Sequence, residues 1–152
     1  MMGGTDAVEG GFLWTPLCSR WRWPVGGATM IAAAAHVPVI SPHLNAAPYL
    51  GEEFVVLTVA CVLLALAAVT CDSAALYCLT ATTCGLAIIG YVATRLIAFP
   101  QLGDDVGDWL DPLGVVAVVA ESVAVITATN ALRSVSRPRQ SALARASRSL
   151  FP

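Results

Sequence analysis

The sequence predicts an all-α integral membrane protein built as a four-helix up-and-down bundle. Three observations predict it. Hydrophobic residues make up 57% of the 152-residue chain and charged residues only 12%, and the mean hydropathy is +0.75. A soluble domain carries about 25% charged residues. Half that charge cannot coat a soluble surface, and the high hydrophobicity excludes disorder. Second, four apolar windows occur near the length of roughly 20 residues that a membrane-spanning helix needs. Third, arginine flanks those windows on one side only. The net charge of −2 and the lack of lysine give no basis for nucleic-acid binding.

Residues 1–20 are glycine-rich and are expected to form a flexible cytoplasmic segment. The first span is expected over residues 21–40, with Val25 to Ala35 as its apolar centre. It opens at Ser19-Arg20-Trp21-Arg22-Trp23-Pro24, where arginine and tryptophan suit a membrane interface and proline suits a first helical turn. Pro38 and Ser41-Pro42 are expected to close it. A rival reading takes Arg20, Arg22 and the run to Ala33-Ala34-Ala35 as a cleaved signal sequence, leaving three spans.

The second span covers residues 54–70, which carry no charge, after Glu52 and Glu53. Cys71-Asp72-Ser73 follows as a tight turn into the third span, 74–99, which contains Arg95 and ends at Pro100. The fourth, 113–132, follows Asp111-Pro112 and contains Glu121. Residues 133–152 are a basic tail with Arg133, Arg137, Arg139, Arg145 and Arg148. The tail is either solvated or a short amphipathic helix from Ser141 to Leu150 on anionic lipid headgroups. The positive-inside rule places both ends in the cytoplasm of a bacterial inner membrane. The connections Ser41–Glu53 and Pro100–Pro112 then face outward.

Any chemistry is expected on that outward face, which gathers His36, His43, Glu52, Glu53, Asp104, Asp105, Asp108 and Asp111. A divalent metal is a candidate ligand there, held by His36, His43, Asp104, Asp105 and Asp108. Carboxylates suit hard cations and imidazoles suit zinc or copper. The spacing is not that of an EF-hand. The alternative is a solvated acidic loop, with Asp111 capping the fourth helix. With only two histidines in the chain, and His43 placed outside the hydrocarbon, a single copy does not supply two axial haem ligands.

Three groups lie at bilayer depth. Arg95 and His36 are each placed about one turn below the outer end, and Glu121 about 12 Å in. A charge there costs about 2.5–3.5 kcal/mol and turns toward a partner inside the bundle. The economical arrangement pairs Arg95 with Glu121 and adds His36 as a third member. Alternatively Arg95 snorkels out to Asp104 or Asp105. The five cysteines (Cys18, Cys61, Cys71, Cys78 and Cys84) form no CxxC and are read as small packing residues. Gly27, Ala28, Ala32, Gly85, Gly90, Gly114 and Ala117 are small enough for close helix approach, within the bundle or toward another subunit. No nucleotide, hydrolase or metalloprotease motif occurs, so nothing requires an enzyme.

The segment from His36 to Gly51, reading HVPVISPHLNAAPYLG, resembles the first outer loop of small actinobacterial, mycobacterial-type four-helix membrane proteins. Thr94-Arg95-Leu-Ile-Ala-Phe-Pro100-Gln, with Gly103 to Gly114 after it, resembles their second. The alanine- and arginine-rich composition suits the same group. The resemblance spans roughly residues 25 to 133. It implies a four-helix inner-membrane architecture and groups His36, His43 and Arg95 with the aspartate loop; it implies no activity.

The expected function is a non-enzymatic accessory or assembly subunit of a larger membrane complex, touching a partner subunit or a second copy. The alternative is an outward polar pocket for a metal ion, proton or small polar solute, formed by His36, Arg95 and Glu121. The tail yields a direct prediction. Binding of the protein to anionic vesicles through the tail should weaken as salt rises, because each arginine contributes about 1 kcal/mol that screening removes. Vesicle sedimentation across a salt series checks this, and salt-independent binding would contradict it.

Overall fold

The computed structural model describes residues 17 and 19–149, with side chains described as far as Ser134, that of Asp104 excepted. Most of the 1–20 segment, including Cys18, lies outside the described residues. So do the side chains of Arg137, Arg139, Arg145 and Arg148. The described chain is helical: α1 (Arg22–Ala46), α2 (Pro48–Thr70), α3 (Ala74–Leu96) and α4 (Pro112–Ser149), with a single 3-10 turn at Gly103–Asp105. All four helices are long and apolar enough to cross a membrane, α4 over Pro112–Ser134. They pack as a bundle in which α1 lies against α2 and α4, α4 also lies against α3, and the α2–α3 interface is smaller than those three.

The first connection differs from the expected one. α1 runs through Pro38 and Pro42 to Ala46, and Ala47 alone joins it to α2. Each proline removes one backbone N–H and crowds the carbonyl four residues back. Pro38 and Pro42 are themselves exposed, and the helix end beyond them packs on α2, His43 against Phe54 and Leu44 against Gly51. Pro48 then starts α2, at the position where a missing N–H costs nothing. There is no Ser41–Glu53 loop; two helix ends meet there. His36 therefore lies ten residues before the end of α1, about 15 Å along the axis rather than one turn.

The other ends shift as well. α3 stops at Leu96, three residues short of the expected Phe99. The backbone of α4 stays helical to Ser149, so span and tail form one 38-residue helix. That is about 57 Å at 1.5 Å per residue, well beyond a hydrocarbon layer of about 30 Å.

The α2–α3 turn is built around Asp72, which is buried and has a φ of +34°. Its carboxylate accepts from the Tyr77 hydroxyl and from the Ser19 backbone N–H. Its carbonyl accepts from Leu17 N–H at 2.8 Å. Ser73 caps α3 by accepting from Leu76 N–H at 3.4 Å. One turn residue thus ties the chain before α1 to the α2–α3 hairpin.

The interior is small and the exterior large. Ala32, Ala33, Ala65, Ala68, Ala124, Ala128 and Ala131 are buried, whereas Val56, Leu63, Leu86 and Ile89 are each at least 60% exposed. In water that arrangement would waste the hydrophobic effect. In lipid it is favourable, because small residues let backbones approach while large ones face acyl chains. Backbones approach closely at Gly51, where a Cβ would sit 2.6 Å from the Leu44 backbone nitrogen and 2.7 Å from its Cα. Gly51→Ala is expected to push α1 and α2 apart and to destabilise the protein by about 1–3 kcal/mol. Thermal unfolding in mild detergent measures it, and an unchanged Tm would contradict the close crossing.

Candidate functional site

Glu121 is on α4, nine residues after Pro112, and is 1% exposed. His36 on α1 is buried opposite it, with Nε2 3.0 Å from Glu121 Oε1. Both groups lie about 14–15 Å from the end of the bundle that carries the 97–111 loop. Each polar side chain thus has its partner inside the bundle rather than in the surrounding lipid.

Phe54 on α2 completes the surroundings. Its ring centroid is 5.6 Å from that of His36 and 4.9 Å from that of His43, the latter edge-on. His43 Nδ1–H donates to the Val39 carbonyl at 2.7 Å. The two histidines therefore contact the same aromatic ring.

Arg95 does not pair with Glu121. Its Nη1 donates to the Asp105 carbonyl at 3.1 Å and lies 3.5 Å from Asp105 Oδ1, and its guanidinium sits 4.7 Å from the Tyr91 ring centre. The Arg95 carbonyl accepts from Gly107 N–H at 3.0 Å. The reason is depth: Arg95 is one residue from the end of α3. Its side chain reaches the loop more readily than a carboxylate more than two turns down α4. Arg95 thus organises the loop over residues 97–111. Tyr91 hydroxyl adds a bond to the Trp109 carbonyl at 3.0 Å, and Tyr49 hydroxyl one to Pro100 at 2.7 Å. Asp111 caps α4, accepting from Gly114 N–H at 2.7 Å.

The expected three-residue pocket is accordingly split, with His36 and Glu121 together and Arg95 elsewhere. The expected metal set is also dispersed. His36 is engaged with Glu121, His43 with Val39, and Asp105 with Arg95; Asp108 is exposed. The Asp104 side chain lies outside the described residues. Among the described residues no three His, Cys, Asp or Glu side chains come together as a metal-holding group.

Sequence reasoning missed the clamp role of Asp72 and the contact of Phe54 with both rings. Asp72 carried a signal, a carboxylate in a three-residue turn followed by Tyr77 one helical turn on. Phe54 carried none, because an apolar residue at the start of an apolar span is unremarked. Comparison with protein-family models, curated proteins and solved structures finds no match.

Removing His36 would strand a carboxylate in the core. His36→Ala is expected to cost about 3–5 kcal/mol. Glu121→Gln, which keeps a hydrogen-bonding group but no charge, should cost only about 1–2 kcal/mol. Chemical unfolding in detergent ranks the two; equal costs would mean that the charge is not what the pair accommodates.

Proposed function

We propose that this protein is a non-enzymatic accessory or assembly subunit of a larger membrane complex. One observation carries the reading: the polar groups at bilayer depth are turned onto partners within the chain, while glycines on α1 and α3 leave the outer surface open. His36 and Glu121 engage each other, and Arg95 engages Asp105. Gly27 and Gly90 are exposed, and a Cβ at Gly27, Gly85 or Gly90 would meet nothing within 4 Å. Ala28, Ala32 and Ala117 are buried inside the bundle, and Gly114 lies against Tyr91. The small residues thus divide into an inner set that packs this bundle and an outer set on α1 and α3, available to a neighbouring helix.

We take the chain to sit with Arg20, Arg22 and Arg133 on the cytoplasmic side. All three flank the same end of the bundle, which supports that orientation. The alternative of an outward pocket loses support from the separation of Arg95 from the His36–Glu121 pair.

The outer glycines give the test. Gly27→Leu and Gly90→Leu should leave stability within about 0.5 kcal/mol, since neither side chain would meet protein. Both should release the protein from its assembly. In native electrophoresis of mildly solubilised source membranes, the wild type should migrate well above its own 15.8 kDa plus detergent, and the variants should fall to the free position. A wild type that migrates free overturns the reading.

A further inference from the structure

We propose that the end of the bundle where α1 begins is a docking surface for phospholipids of net negative charge, held by Arg20, Arg22 and Arg133. Charge is sorted by end. The end with the 97–111 loop carries six carboxylates, Glu52, Glu53, Asp104, Asp105, Asp108 and Asp111, against Arg95. The opposite end carries Arg20, Arg22 and Arg133 against Asp72. Asp72 is buried and already accepts from the Tyr77 hydroxyl and the Ser19 N–H. α1 has no acidic residue in its first turn and no side-chain cap. Among the described residues, none of the three arginines has an ion-pair partner.

The three lie at one level of the bundle. Trp21 and Leu132 pack against the same core cluster, which includes Val25, Tyr77 and Ala131. Arg20 and Arg22 flank Trp21, and Arg133 follows Leu132. Arg20 and Arg133 are exposed and Arg22 is half-buried. The Arg20 guanidinium lies over the Trp21 ring at 5.5 Å, and that of Arg22 over the Trp23 ring at 5.4 Å. A guanidinium steadied on an indole keeps N–H donors for a phosphate, which it can bind in bidentate fashion. Trp23 is itself 61% exposed, as an indole at headgroup level is. Two turns further along that face of α1, Met30 and Ile31 are exposed to the hydrocarbon. The surface thus presents charge, then indole, then aliphatic side chains. A phospholipid has its groups in that order; a free phosphate matches only the first.

The test uses the full chain with Trp14→Phe and Trp109→Phe, so that emission comes from Trp21 and Trp23. It is placed in phosphatidylcholine vesicles holding a small fixed share of either brominated phosphatidylglycerol or brominated phosphatidylcholine. The brominated phosphatidylcholine sets the quenching expected of random contact. Brominated phosphatidylglycerol should quench beyond it, with an enrichment of about fivefold for each arginine engaged. Changing Arg20, Arg22 and Arg133 to glutamine should return the enrichment to the random level. Changing Arg137, Arg139, Arg145 and Arg148 to glutamine should leave it in place. Circular dichroism establishes that each variant keeps its helicity. Equal quenching by the two lipids before any arginine is changed overturns the proposal. Enrichment that survives the first set of changes, or vanishes with the second, overturns the assignment to these residues. Enrichment abolished by inorganic phosphate at constant ionic strength assigns the surface to the free ion and overturns the lipid.

Discussion

A carboxylate at the depth of Glu121 has no water to turn to, and the fold is arranged so that it does not need any. Its partner His36 comes from α1, the helix that packs on both α2 and α4. The pair is buried and lies at 3.0 Å, so neither polar group is left facing lipid. It also fixes the rotation of α1 against α4: a turn of either helix by one residue would swing one of the two groups toward acyl chains. The alanines around it serve the same contact, because Ala28, Ala120 and Ala124 let the two backbones come close.

Each end of the bundle has its own polar device, and each satisfies groups that the helices leave open. At one end Asp72 gathers the Tyr77 hydroxyl and the backbone before α1. At the other, Arg95 holds Asp105 and Gly107 and so folds the 97–111 segment over the mouth of the bundle. Between these ends lies a layer with few polar side chains, where packing depends on small residues. The division follows from the solvent: irregular backbone is tolerated where water or other protein groups can satisfy it, and helices alone cross the layer between.

The same solvent explains the make-up of the surface. Large aliphatic side chains cover most of the outside, broken on α1 and α3 by glycines that leave the backbone open. Within the chain, polar side chains at depth have been turned onto one another, so the outer faces offer shape instead of charge. In lipid, shape is the main basis on which helices select neighbours.

The sequence by itself determined the class of the fold, the count of spans and the positions of the groups that lipid penalises. These are one-dimensional properties: apolar length, the isolation of Arg95 and Glu121 in apolar runs, and the Cys71-Asp72-Ser73 turn can all be read without knowing what touches what. The capping of α4 by Asp111 was legible for the same reason, since a cap is a local bond. Partner choice was not. Whether Glu121 meets His36 depends on where α1 ends, and Pro38 and Pro42 suggested an end that the helix passes, its last turn packing on α2. That single difference moved His36 from near the surface to the middle of the span; Arg95 turns to Asp105, the second of its two expected partners, because it lies one residue from the end of α3. Only the tertiary structure could decide it, because the energy that carries a helix through two prolines comes from its neighbours and not from its own residues.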